Sequence, residues 1–431
     1  MPSHRRHHRE EAPMKVLHTS DWHLGRTTWG HSRNQDHEAV LDEITAIAAA
    51  AQPDLILNTG DLFDQQRPPV QAMKLATDVL RALSAIAPVV VISGNHDSAP
   101  LLHWLHGLLR HGERVHIVAD PDAVRVGTVL RFPVGDGRLH VAALPFITAN
   151  RIVTVLDDPS ARRKAYAAHI AAVQRELLHR LYEDFDPASD VSVFAAHQYL
   201  AGSVPSRTEN PNHTCDFYAT DPEQIPPVDY AAFGHIHKPQ ELPGRVSGAY
   251  AGSPIQLDFG EIGEAKSVVL AHLHPGAPAR IERLPLHAGR RLEVATGTLD
   301  ELRARADSIT TEICRIVVHT PSHEPELSRQ IRALFPDATI VQIDENAADR
   351  KLDLITPDTP AGGEPDNVAM FSAYLAEQGT RAASADRVLE LFGTLLHHAG
   401  DELPPALPAE ELLAEDLSAF TVPAEEDEAA A

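Results

Sequence analysis

From Met14 onward, short β-branched runs alternate with stretches whose apolar residues recur at helical spacing. VLHTS (16–20) precedes a helix predicted over 36–51, with Val40, Ile44 and Ile47 on one face. LILNT (55–59) leads into a second helix with Met73, Ala76, Leu80 and Leu83 in phase. PVVVIS (88–93) follows, then a longer helix presenting Tyr166, Ile170, Val173, Leu177 and Leu181. VSVFAA (191–196) and YAAF (230–233) complete the series of predicted strands. This alternation predicts an α/β domain over 14–285, with helices covering sheets, because short helices are marginal in water without a surface to bury against.

A smaller α/β unit is predicted over 290–350. It comprises a helix near 299–306, a strand at ICRIVV (313–318), a helix near 326–334 and a strand at ATIVQI (338–343). TPDTPAGGEPD (356–366) has linker composition, so 351–384 is read as a linker. An amphipathic helix over 385–400 follows, carrying Val388, Leu389, Leu391, Leu395 and Leu396, and 401–431 is an acidic tail. Residues 1–13 are polar and basic, with no apolar segment behind them, and read as a disordered extension rather than a secretory signal. No apolar run approaches the roughly 20 residues a membrane helix needs, which predicts a cytoplasmic protein.

Charge complicates any reading as a nucleic-acid binder. The 431 residues carry a formal charge of −24, which excludes a broad basic coat. Part of that excess is local, because 401–431 holds ten Asp or Glu and no Lys or Arg. Bound cations would add positive charge that this formula omits. Cys215 and Cys314 are the only cysteines, too few and too far apart for a thiolate metal site, so any metal would rest on His, Asp and Asn.

Those residue types sit where the predicted strands end. VLHTS runs into Asp21-Trp22-His23, LILNT into Gly60-Asp61, and PVVVIS into Gly94-Asn95-His96-Asp97. VSVFAA runs into His197, and YAAF into Gly234-His235-Ile236-His237. Ligands of open α/β sheets gather beyond the carboxyl ends of strands, so five turns can converge on one crevice. Imidazole and carboxylate suit manganese, iron or zinc. Two cations roughly 3.5–4 Å apart can share a carboxylate and clamp a phosphate for in-line attack. Taken singly, each motif in a chain with 26 histidines is better explained as a turn or a surface feature. Their joint order and strand-end placement favour a dinuclear centre.

DWHLG, GDLFD, SGNHD, the strand-end His197 and GHIHKP together resemble the five motifs of calcineurin-like metallophosphoesterases, spread over residues 21–239. KVLHTSDWHLG, AGSPIQLDFGE (251–261) and the small α/β unit narrow the resemblance to the nuclease subunits of bacterial double-strand-break exonucleases. The family fold is a β-sandwich flanked by helices; here it would carry a small α/β capping domain and a C-terminal helical segment. The resemblance implies one metal on Asp21, His23, Asp61 and His237, and a second on Asp61, Asn95, His197 and His235, with Asp61 bridging. It implies Mn2+ as the cofactor and His96 as the group that meets the phosphate and protonates the leaving oxygen. Asp97 is expected to support His96. At Asp64 archaeal and eukaryotic relatives carry a catalytic histidine, and Asp64 is kept as a catalytic candidate of open role.

The implied function is metal-dependent exonuclease and endonuclease action on DNA ends and hairpins in repair, recombination or replication. The implied partners are DNA and an SMC-like ABC ATPase, docked through Val388, Leu391 and Leu395, with a homodimer inside a heterotetramer. A small-molecule phosphodiesterase sharing the centre but not the partner is the alternative, and a vestigial metal site on a recruiting scaffold is a third reading. The cap and docking helix argue against the former, and the seven intact ligand positions against the latter.

Overall fold

The computed structural model describes residues 12–109, 114–119, 129–148, 159–206, 208–209, 218–348, 367–377 and 387–393. The chain divides into two units, Met1–Arg350 and Lys351–Ala431. The first is built on two six-stranded sheets.

In one sheet, β1 (Met14–Thr19), β4 (Leu55–Asn58), β5 (Val89–Ile92) and β6 (Val115–Val118) run parallel. The antiparallel hairpin of β13 (Ser267–His274) and β14 (Ala277–Pro285) extends it beyond β1. In the other, β8 (Gly137–Leu144), β9 (Val191–His197), β10 (Tyr230–Gly234) and β12 (Gly248–Tyr250) are parallel. Its antiparallel edges are β7 (Val129–Val134) and β11 (Gln240–Glu241).

Why the strands read as unbroken apolar runs follows from their two buried faces. In β4, Leu55 and Leu57 point into the layer between the sheets, while Ile56 points out to the helices. β10 repeats the pattern, with Tyr230 and Ala232 between the sheets and Ala231 and Phe233 on the outer side. The outer face of the first sheet is covered by α1 (Asn34–Ala51), α2 (Val70–Ile86) and α3 (Ala99–Leu109). Tyr166, Ile170, Leu177 and Leu181 of α4 (Pro159–Leu181) cover the second. The result is a four-layer α/β/β/α sandwich, the helix-flanked architecture expected from the sequence. Both sets of parallel strands deliver their carboxyl ends to one rim, as the register His197↔Gly234 in β9–β10 illustrates.

A third, all-parallel sheet, β15 (Leu292–Gly297), β16 (Ile313–Thr320) and β17 (Thr339–Ala347), packs with α5 (Leu299–Ala304) and α6 (Leu327–Leu334) around Leu302, Ile316, Ile331 and Phe335. β15 lies outside the elements read from the sequence. The small unit meets the sandwich through buried charge. Asp36 in α1 receives the Arg33 guanidinium at 2.8 Å and the Arg290 guanidinium at 2.9 Å, and Arg33 also donates to the Arg290 carbonyl. Burial would raise the Asp36 carboxyl, but these two guanidinium groups hold it down to about 2. A second contact sets the Arg315 guanidinium 5.1 Å over the ring of Trp29, between β2 (Thr27–Thr28) and β3 (His31–Ser32).

In the second unit, helix α7 (Asn367–Glu377) stands within the span read as a 351–384 linker, a correction to that reading. Its Phe371 packs 4.3 Å from Phe392 in the helical residues 387–393. Val388 there is exposed and Leu391 half-buried, whereas Leu395 lies outside the described residues. The expected disordered extension lies almost wholly outside them, as does the whole of the acidic tail. No described helix is long and apolar enough to cross a membrane.

Candidate metal centre

At the rim, the turns after β1 and β4 are zipped together by their backbones. Asp21 donates its N–H to the Gly60 carbonyl at 2.9 Å, His23 to Asp61 at 3.0 Å and Leu24 to Leu62 at 3.0 Å. Four candidate ligands hold left-handed backbone: Asp21 (φ 50), His23 (φ 48), Asp61 (φ 49) and His235 (φ 99). Non-glycine residues there cost about 1–3 kcal/mol each and persist only where the surroundings enforce them. Glycine provides the close approach between turns. A Cβ on Gly94 would stand 2.1 Å from the Asp61 carboxylate, and one on Gly60 2.3 Å from His197 Nδ1.

All seven expected ligands are brought together, each from a different strand end or from a pair two residues apart. One group is Asp21, His23 and His237; another is Asp21, Asp61 and His197. Asn95 Oδ1 lies 3.0 Å from His197 Nε2 and 2.8 Å from His235 Nδ1. Asp61 stands between the groups, with Oδ2 at 3.6 Å from His23 Nε2 and 3.5 Å from His197 Nε2.

The donor set fits cations. His197 Nδ1 donates to the Thr59 carbonyl at 2.8 Å, so its Nε2 presents a lone pair inward. His237 Nδ1 meets the Glu261 carboxylate at 3.0 Å, which turns Nε2 inward as well. That Nε2 faces His23 Nε2 at 3.1 Å. Acceptors crowded this closely in a dry site require protons or metal ions between them. With protons alone, burial is outweighed by the Asp61 charge at His197 and by the Glu261 carboxylate at His237, and both rings are pushed up to about 9. Burial lowers His23 to about 4. Burial would raise Asp61, yet the surrounding rings hold it well below the ordinary carboxylate range.

His96 sits half-buried at the edge of this cluster. Its Nδ1 donates to the Asp64 carbonyl at 2.8 Å, so the proton on that nitrogen is committed and Nε2 is left to meet a substrate. Asp97 does not support His96 as expected. Its carboxylate accepts the N–H groups of Leu62, Phe63 and Gly94 at 3.2, 3.0 and 2.9 Å, pinning the turn of Asp61 to that of Asn95. Burial and the Asp61 charge raise Asp97 to about 6. The Asp64 carboxylate lies 3.4 Å from His23 Nδ1 and 3.2 Å from Arg26.

The sequence reading left several buried groups unassigned. Glu209 accepts the His237 backbone N–H at 2.9 Å, Thr208 Oγ1 lies 2.9 Å from His237 Nδ1, and Glu261 and Lys266 form an ion pair at 2.7 Å. The signal for Glu261 was the AGSPIQLDFGE stretch, which it ends.

The profile of the calcineurin-like phosphoesterase family matches residues 14–239. The chain is 34% identical over 283 residues to the SbcD component of the SbcCD nuclease from Bacillus subtilis, covering 65% of this chain and 71% of that one. Against the SbcD component from Escherichia coli K12 it is 26% identical over 405 residues, covering 90% and 99%. A crystal structure of a dimetal phosphatase from Danio rerio matches 65% of this chain and all of that one, at 10% identity and a TM-score of 0.35, a likeness too loose to bear on function.

Proposed function

The chain belongs to the calcineurin-like phosphoesterase family and, within it, to the SbcD nucleases, so it is a metal-dependent phosphodiester hydrolase, and we propose that it cleaves DNA as the nuclease component of a complex with an SMC-like ABC ATPase. The observation that carries this reading is the convergence of seven acceptor side chains on one rim, with Asp61 between two groups. We assign Asp21, His23, Asp61 and His237 to one divalent cation and Asp61, Asn95, His197 and His235 to the other, with manganese as the working metal. Bound there, two cations would neutralise the phosphate and make a nucleophile available at neutral pH.

The protein's own groups do the rest. The paired turns fix the acceptors before substrate arrives, so little reorganisation is needed as charge develops. His96, oriented by the Asp64 carbonyl, presents Nε2 to the departing oxygen and in its cationic form gives it a proton. Asp97 acts through the backbone, keeping the Asp61 and Asn95 turns in register. Asp64 and Arg26 brace the outer side of His23.

A polymeric substrate is favoured over a small phosphodiester because the relatedness to the E. coli nuclease component continues past residue 285. The small α/β unit would cap the DNA entrance, and the 387–393 helix would dock on the ATPase through Val388 and Leu391. A cytoplasmic location and a homodimer within a heterotetramer belong to the same proposal. Its test is degradation of linear DNA in manganese by the chain with its ATPase partner. His96→Leu should cut kcat by about 10²–10⁴ while two ions stay bound. No cleavage of any DNA form by the unaltered complex contradicts the proposal.

A further inference from the structure

We propose that Glu261 is a positioning residue for His237, and that it sets the affinity of the cation position formed by Asp21, His23 and His237. This rests on the dinuclear reading above. Glu261 closes a short 3₁₀ turn, Phe259–Glu261, and its side chain is fully buried. One carboxylate oxygen lies 3.0 Å from His237 Nδ1, the ring nitrogen remote from the centre. A carboxylate can only accept, so Nδ1 must carry the proton and Nε2 must offer its lone pair inward. The Thr208 hydroxyl donates to the same oxygen. The second oxygen takes Lys266 Nζ at 2.7 Å and the Leu257 N–H at 3.0 Å.

Lys266 is what makes a buried glutamate tenable beside an imidazole. An uncompensated carboxylate at such depth would cost several kcal/mol. Lys266 Nζ also donates to the His237 carbonyl at 3.0 Å and to Ser253 Oγ at 3.0 Å. His237 is therefore held by its ring through Glu261 and by its main chain through Lys266.

Two of the other ligand histidines, His197 and His23, are held differently. His197 gives its remote N–H to a neutral carbonyl, that of Thr59. His23 Nδ1 has the Asp64 carboxylate at 3.4 Å, longer than a good hydrogen bond. A hydrogen-bonded carboxylate raises the basicity of the imidazole and fixes its tautomer, and loss of such a partner typically lowers metal affinity about 10–100-fold. Glu261 thus acts on one cation position and leaves the Asn95, His197 and His235 position untouched.

The test is calorimetric titration of Mn2+ into the metal-stripped full-length chain, with melting temperature and circular dichroism of the metal-free protein alongside. Unaltered protein takes up two ions. Glu261→Gln keeps an acceptor but loses the charge and should weaken one ion about 10-fold; Glu261→Met loses both and should weaken it about 100-fold, the second ion keeping its affinity. Should Glu261→Met fold poorly, Glu261→Gln carries the test alone, with one ion bound about 10-fold more weakly and the other unchanged. Unchanged affinity for both ions, or equal weakening of both in a folded variant, overturns the inference while the dinuclear reading stands. Fewer than two ions on the unaltered chain overturns that reading and the inference with it.

Discussion

His37 shows how much a single buried side chain can reveal. It is fully buried in α1, and neither ring nitrogen has a hydrogen-bond partner among the described residues. Burial, reinforced by the Arg33 charge, lowers it from 6.5 to about 3. The folded protein therefore keeps His37 neutral where the unfolded chain would take up a proton. Its contribution to stability is whole above pH 6.5 and is lost as the pH falls from 6.5 towards 3. His18, lowered to about 3 by burial between Tyr230 and Thr59, acts in the same direction. Replacing His37 by Leu removes no hydrogen bond. His37→Leu should melt no lower than the parent at about pH 7.5 in EDTA, and its melting temperature should decline less steeply between about pH 6.5 and 4. Parallel pH profiles for the two proteins would show that His37 carries no such linkage.

At the scale of elements, the rim is made by turns that tolerate no extra atom. Gly94→Ala would press a methyl group against the Asp61 carboxylate and its backbone nitrogen, at 2.1 and 2.4 Å. Relief must come from moving the turns apart, at a cost of about 1–3 kcal/mol and with the acceptors displaced. Gly107→Ala in α3 is the control: it has open space and helical backbone, and should be neutral or stabilising by about 0.4–1 kcal/mol. Chemical denaturation and Mn2+ titration of the two variants check both statements, and equal behaviour of the pair would refute the packing argument.

These turns also show what a sequence can and cannot reveal. Five parallel strands, β1, β4, β5, β9 and β10, were legible because burial on both faces leaves apolar runs, and the acceptors were legible because they follow those runs directly; the parallel strands β6, β8, β12 and β15 were not read. β14 was not, since its residues alternate between exposed and half-buried at a sheet edge. Asp97 was misread because its partners are backbone amides of Leu62, Phe63 and Gly94, which carry no residue identity. Glu261 stood in a visible motif, but its meaning depends on a contact with His237 that only the fold creates. α7 was lost in the Pro/Gly-rich composition before it.

The whole molecule couples its small α/β unit to the sandwich through Asp36. The carboxylate is shared by Arg33 from its own helix boundary and Arg290 from the connection between the two. Arg33 is fully buried, so Asp36→Ala leaves a guanidinium without its counter-charge and should cost about 3–5 kcal/mol. Limited proteolysis should then cut near 286–291 faster than in the parent, and an unchanged digestion pattern would mean the junction is held elsewhere. Globally the chain has 61 acidic against 37 basic residues, so attraction of a polyanion must come from a local source. The cluster of acceptors, once loaded with cations, would be one such source.

Anomalous diffraction from crystals soaked in Mn2+ tests this most directly. Two peaks should appear on the rim, one against Asp21, His23 and His237, the other against Asn95, His197 and His235, with Asp61 touching both. A single peak, or manganese bound only elsewhere on the surface, would contradict the account.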